Sequence, residues 1–148
     1  MNFPNCTEEN DNAKITIIDR GSKNNKSKVV LENPDRKKLQ IIQIEDCVIP
    51  EGTEGGRCDK LIVVVPDDRL IFIELKGNDV EKAIKQLIDS INYLKEKCSD
   101  VKNKKSICII SCTRCPLSST DVQNKKKIFK DKYKATLLIK SGKMTHQI

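Results

Sequence analysis

Residues 55–93, GGRCDKLIVVVPDDRLIFIELKGNDVEKAIKQLIDSINY, limit what this chain can fold into more than any other stretch. Two apolar runs flank Pro66-Asp67-Asp68-Arg69, a turn signal, and together read as a β-hairpin. After Gly77, apolar residues fall at Val80, Ala83, Ile84, Leu87, Ile88, Ile91 and Leu94, the spacing of one helical face. Asn78 and Glu81 read as a capping box opening that helix. A hairpin running straight into a one-sided helix must lay the helix on the sheet, which commits the chain to the α/β class.

Three charged residues interrupt the apolar hairpin: Asp59, Glu74 and Lys76. With Val65 opposite Leu70, Asp59 falls opposite Lys76 and Leu61 opposite Glu74. Side chains alternate along a strand, so all three project from one face, about 5–8 Å apart. A one-residue slip would send Asp59 to the other face. On a solvated sheet the three would be an ordinary ion-pair set. Leu61, Val63, Val65, Leu70 and Phe72 on the same face argue for a covered one, where charge is costly unless it binds something. Two carboxylates suit a hard divalent cation.

The remaining segments supply a sheet and a second helix. Residues 1–13 are polar and read as loose. Residues 14–18, 29–31 and 39–45 read as strands, 19–28 as a loop or hairpin turn, 33–35 as a turn, and 50–56 as a Gly-rich loop. The unbroken apolar run 106–111 fits a strand covered on both faces and, following a helix, parallel in the same sheet. Ser118-Ser119-Thr120 opens a second helix, with Thr120 and Gln123 as a possible capping box and Val122, Phe129 and Tyr133 as its apolar stripe. Residues 135–140 form a last strand, and the final residues should fray. The expectation is one domain over 1–148, a mixed β-sheet flanked by α-helices.

The bulk numbers narrow the function classes. At 37% hydrophobic and 33% charged the composition is that of a soluble globular protein, and no apolar run is long enough for a membrane helix. No basic region followed by an apolar core stands near residue 1, so no secretory leader is expected. Seven cysteines without an export signal then imply reduced thiols and a cytoplasmic location. Residues 1–75 carry a net charge of −3 and residues 76–148 a net +10. The basic half suits a polyanion. With no Trp, three Phe and two Tyr, an aromatic platform for single strands is not available. Lys105, Arg114, Lys125, Lys126 and Lys127 are candidate phosphate contacts or plain solvated surface.

Asp59, then fourteen residues, then Glu74-Leu75-Lys76 and a helix, resembles the PD-(D/E)XK nuclease superfamily, which has the restriction-endonuclease-like fold. Gln86 and Tyr93 look like the glutamine and tyrosine that its members carry on that helix, at a wider spacing. The resemblance spans residues 55–94 by motif and roughly 39–140 by order of elements. It implies Mg²⁺ or Mn²⁺ held by Asp59, Glu74 and the main-chain oxygen of Leu75. It further implies Lys76 acting on the attacking water or the transition-state charge, and Gln86 positioning water or phosphate. It implies phosphodiester hydrolysis with nucleic acid as partner, DNA ahead of RNA, no membrane, and a homodimer where both strands are cut. Many members carry a further acid ahead of the first core strand. Here the candidates are Glu32, Glu45, Asp46, Glu51 and Glu54, with Glu54 nearest in sequence. The alternative is a nuclease-like module that binds nucleic acid or protein without cutting.

Cys108, Cys112 and Cys115, spaced C-x3-C-x2-C, could with Cys98 suggest zinc or an iron–sulfur cluster. The spacing departs from that of cluster-bearing members of the superfamily, and a thiol inside an apolar strand is ordinary. The only histidine, His146, lies near residue 148, which argues against a His-based site.

Overall fold

The computed structural model describes residues 1–19, 27–76, 78–115 and 118–148; of Lys76 it describes the backbone alone. A 3-10 turn at Pro4–Cys6 leads into β1 (Thr7–Asn10), β2 (Lys14–Ile18), β3 (Lys28–Glu32), β4 (Leu39–Gln43), β5 (Lys60–Val64) and β6 (Arg69–Lys76). Then come α1 (Val80–Lys97), a 3-10 turn (Ser99–Val101), β7 (Ser106–Cys112), α2 (Ser119–Tyr133), β8 (Ala135–Ser141) and β9 (Lys143–Gln147).

A six-stranded sheet runs in the order β1-β4-β5-β6-β7-β8. Neighbours are antiparallel from β1 to β6 and parallel from β6 to β8. The parallel half is built by α1 and α2, each a crossover to the next strand. The architecture is therefore mixed α/β.

Alternation along β5 and β6 sorts the core into two layers. Leu61, Val63, Leu70 and Phe72 pack with Val80, Ala83, Ile84, Leu87, Ile91 and Leu94 of α1 and with Phe129 and Tyr133 of α2. Ile62, Val64, Ile71, Ile73 and Leu75 face a second sheet, β2-β3-β9, through Ile15, Ile17, Val29, Leu31 and Met144. Each fully buried large side chain contributes about 1.5–3 kcal/mol. Both faces of the hairpin thus carry core residues, and Glu74 is buried among them while Asp59 is half-buried. Among the described residues no helix is long and apolar enough to cross a membrane.

Several expectations change. The hairpin closes one residue earlier than expected: Val64 pairs with Arg69, Val63 with Leu70 and Leu61 with Phe72. Asp68 takes a left-handed φ of 53°, the Asp67 amide donates to the Val64 carbonyl (3.2 Å), and the Val65 amide turns away to Lys38 O (3.0 Å). Val65 is consequently exposed rather than on the covered face. The shift in register is two residues, an even number, so Leu61, Val63, Leu70 and Phe72 keep their shared face, with Asp59 and Glu74 in phase with them.

Residues 1–13 are not loose, because β1 pairs with β4. The last residues do not fray: β9 joins β3 in parallel, with His146 beside Leu31. The cap of α1 is Asp79, accepting from the Lys82 amide (2.9 Å), not Asn78. The cap of α2 is Ser118, accepting from the Asp121 amide (3.1 Å), not Thr120. Cys6 is disulfide-bonded to Cys47 and Cys112 to Cys115, so only Cys58, Cys98 and Cys108 are free thiols. The expectation of fully reduced cysteines, on which a cytoplasmic location leaned, does not hold. The loop expected over 19–28 lies mostly outside the described residues.

Candidate active site

Asp59 stands immediately before β5, and Glu74 lies late in β6. The rung beyond Lys60–Ile73 brings Asp59 directly opposite Glu74. The expected partners, Asp59 with Lys76, are therefore replaced by acid facing acid. The two are interlocked through the backbone: the Asp59 amide donates to Glu74 Oε2 (3.1 Å), and the Leu75 amide donates to Asp59 Oδ2 (2.7 Å). The Asp59 carbonyl accepts from the Ile44 amide (3.1 Å), tying the acid to the end of β4. Glu74 is only 1% exposed, on the helix-covered face.

α1 sets the approach to Asp59. Gln86, Asp89 and Ser90 lie one helical turn apart and fasten three consecutive loop residues. The Gly56 amide donates to Asp89 Oδ2 (2.6 Å), Gln86 Nε2 donates to the Arg57 carbonyl (2.8 Å), and the Cys58 amide donates to Ser90 Oγ (2.8 Å). Gly56 is required by proximity: a Cβ there would stand 2.8 Å from Gln86 Cα. Asp89 and Ser90, which the sequence reading does not single out, hold the loop that leads into Asp59. The signal available was Ser90, a polar residue inside the buried stripe of α1. Burial pushes the Cys58 thiol well up, so it is an inert packing group behind the acids.

The other predicted residues divide by position. Gln86 is buried, its amide nitrogen committed to Arg57 and its Oε1 lacking a hydrogen-bond partner. Leu75 follows Glu74; its amide points to Asp59, and in an extended strand the carbonyl of the same residue leaves on the same side. The Lys76 backbone continues β6 in register with Cys112, while its side chain lies outside what is described. Arg114 is exposed just past the end of β7, at the same end of the sheet. Lys105 is not brought near: it precedes the Leu70–Ser106 rung, whereas Glu74 pairs with Ile110, about 16 Å further along the strand. Glu54 is exposed in the loop. Lys125 pairs with Glu81 (3.4 Å), and Lys126 and Lys127 follow on α2.

An open cleft of about 440 Å³ borders Asp59, lined by Lys60, Gln43 and the acids Asp19, Glu45 and Asp46 among others. Its acidic wall favours a cation over a bare polyanion. Among the described residues no group of three or more His, Cys, Asp or Glu side chains is arranged to hold a metal. The C-x3-C-x2-C reading fares accordingly: Cys112 and Cys115 are bonded to each other, Cys108 is buried in β7 and Cys98 ends α1. Two carboxylates and a carbonyl on adjacent rungs fit an ion such as Mg²⁺, which takes one or two carboxylates and keeps several waters.

Comparison with protein-family models, curated proteins and solved structures gives no match.

Proposed function

We propose that this chain is a divalent-metal-dependent nuclease of the PD-(D/E)XK kind on a restriction-endonuclease-like fold, hydrolysing phosphodiester bonds in DNA in preference to RNA. The observation that carries the reading is the facing pair Asp59 and Glu74, Glu74 buried under α1 at the end of a strand whose next residues are Leu75 and Lys76. Two carboxylates brought onto one rung at the end of a covered strand are the oxygen donors that a hard divalent cation takes.

Asp59, Glu74 and the Leu75 carbonyl would hold Mg²⁺ or Mn²⁺. Such an ion supplies Lewis-acid stabilisation of the phosphate and a more acidic water. Asp59 is held in place by the Leu75 amide and Glu74 by the Asp59 amide, so each acid orients the other. Lys76 acts on the attacking water or on the charge that develops at phosphorus. Gln86 is a positioning residue, holding the Arg57 carbonyl and so the loop that ends in Asp59. Arg114 and the lysines of α2 contribute nonspecific phosphate contacts. Cutting both strands of a duplex takes two copies of the chain.

The test is cleavage of plasmid, single-stranded DNA and RNA in Mn²⁺ and in chelator, by wild type, Asp59→Ala and Lys76→Ala. Wild type nicks plasmid only with metal, and both variants lose at least tenfold. Identical traces from all three proteins sink the proposal.

A second reading, a binding module that does not cut, is favoured by one observation: among the described residues no three or more His, Cys, Asp or Glu side chains are grouped to hold a metal. In that case nucleic-acid or protein binding survives Glu74→Ala and is indifferent to Mg²⁺.

A further inference from the structure

The strand next to β6 ends in Cys112-Thr113-Arg114-Cys115, and its two cysteines are joined. We propose that Cys112–Cys115 is a reversible thiol–disulfide site that exchanges with small dithiols while the fold stays intact. It does not depend on the acid pair being catalytic.

Three observations carry the proposal. The bond closes a separation of only three residues at the end of one strand, so opening it releases no distant element. The Cys6–Cys47 bond differs, joining the turn before β1 to the loop after β4 across a separation of 41 residues. Second, the two sulfurs are unequal. Cys112 is fully buried on β7, while Cys115 is only partly buried in the loop beyond, so an incoming thiolate reaches the Cys115 side. Third, the structure holds a partner for the reduced form. Cys112 Sγ lies 3.4 Å from the Lys140 carbonyl oxygen, to which Cys112 can donate only as a thiol. Both oxidation states are therefore accommodated without moving β7, whose Cys112 carbonyl is also held by the Gly142 amide (2.6 Å).

The chemistry balances as ordinary exchange. A thiolate of the external dithiol attacks Cys115 Sγ, the Cys112–Cys115 bond breaks, and Cys112 leaves as thiolate and takes a proton. The second thiol of the reagent then attacks its own sulfur in the mixed disulfide. Cys115 is freed and the dithiol becomes a cyclic disulfide. Two electrons and two protons pass from reagent to protein. The pair stands in register with the Lys76 backbone, so the change occurs one strand away from Glu74.

The experiment titrates the full chain with dithiothreitol against its oxidised form under native conditions. It is quenched with iodoacetamide in denaturant and read by intact mass and peptide mapping. The air-oxidised protein labels at Cys58, Cys98 and Cys108. Mild reduction adds two labels, mapped to Cys112 and Cys115, while Cys6 and Cys47 stay bonded and far-UV circular dichroism is unchanged. Returning the sample to oxidised reagent removes both labels. Simultaneous opening of both disulfides, earlier opening of Cys6–Cys47, or labelling of Cys112 and Cys115 in the air-oxidised protein overturns the proposal. The direction of attack is tested separately with oxidised glutathione. Cys112→Ser forms a mixed disulfide at Cys115 at least tenfold faster than Cys115→Ser forms one at Cys112. Equal rates overturn the assignment of Cys115 as the attacked sulfur.

Discussion

Replacing Gly56 by alanine tests the link between α1 and the acid pair. The new Cβ would stand 2.8 Å from Gln86 Cα, 2.9 Å from Gln86 Cγ and 3.2 Å from Asp89 Oδ2. The nearest of these is helix backbone, which cannot swing aside as a flexible side chain would. The loop must therefore lift from α1. Overpacking of this kind costs about 1–3 kcal/mol. Lifting also stretches the bonds to Asp89, Gln86 and Ser90, each contributing roughly 0.5–1.5 kcal/mol, the carboxylate more. The expected loss is about 2–4 kcal/mol, or very roughly 10 °C in Tm at this chain length. Gly52→Ala is the control: nothing lies within 4 Å of its Cβ, and its φ of +82° costs about 1 kcal/mol by backbone strain alone. Equilibrium urea unfolding followed by circular dichroism measures both. If Gly56→Ala falls within about 0.5 kcal/mol of wild type, or loses no more than Gly52→Ala, the loop does not depend on this contact and the account of how Asp59 is positioned is wrong.

The two disulfides should differ in stability contribution, because the chain-entropy benefit grows with the loop closed. Cys47→Ser, opening a separation of 41 residues, should cost about 4 kcal/mol in urea under non-reducing conditions, and Cys115→Ser no more than about 2 kcal/mol. His146 supplies a pH dependence. Desolvation first, and the nearby Arg69 charge second, hold its imidazole below the ordinary value of 6.5, and its buried Nε2 has no hydrogen-bond partner. Since the unfolded chain binds that proton more readily, the contribution is full above about pH 6.5 and is lost as pH falls through the lower folded value. Urea midpoints from pH 7.5 to 5 should drop for wild type and drop less for His146→Gln. Equal slopes would remove His146 from the explanation.

Much of the architecture is written in local periodicity. The hairpin and β7 follow from short apolar runs bounded by turn signals, and the stripe of α1 from a period of 3.6 residues, none of which depends on anything distant. The facing of Asp59 and Glu74 was legible as a shared face even with the rung misplaced, because a two-residue shift preserves parity. The pairing itself was not legible, since it turned on Asp68 adopting a left-handed conformation and on Val65 bonding to Lys38.

What tertiary structure alone decided has one physical cause: it rests on contacts between residues far apart in sequence. β1 reads Thr-Glu-Glu-Asn and carries no apolar alternation; it is a strand because β4 offers it a hydrogen-bonding edge. β9 is likewise held by β3, more than a hundred residues earlier. The Cys6–Cys47 link, the polar clamp of Gln86, Asp89 and Ser90 on the loop, and the tight approach at Gly56 leave no local pattern that identifies their partners. The sequence by itself determined the α/β class, the central hairpin with its helix, and two acids on one covered face. The assembled sheet determined that those acids meet on a single rung, and that α1 holds the loop delivering one of them.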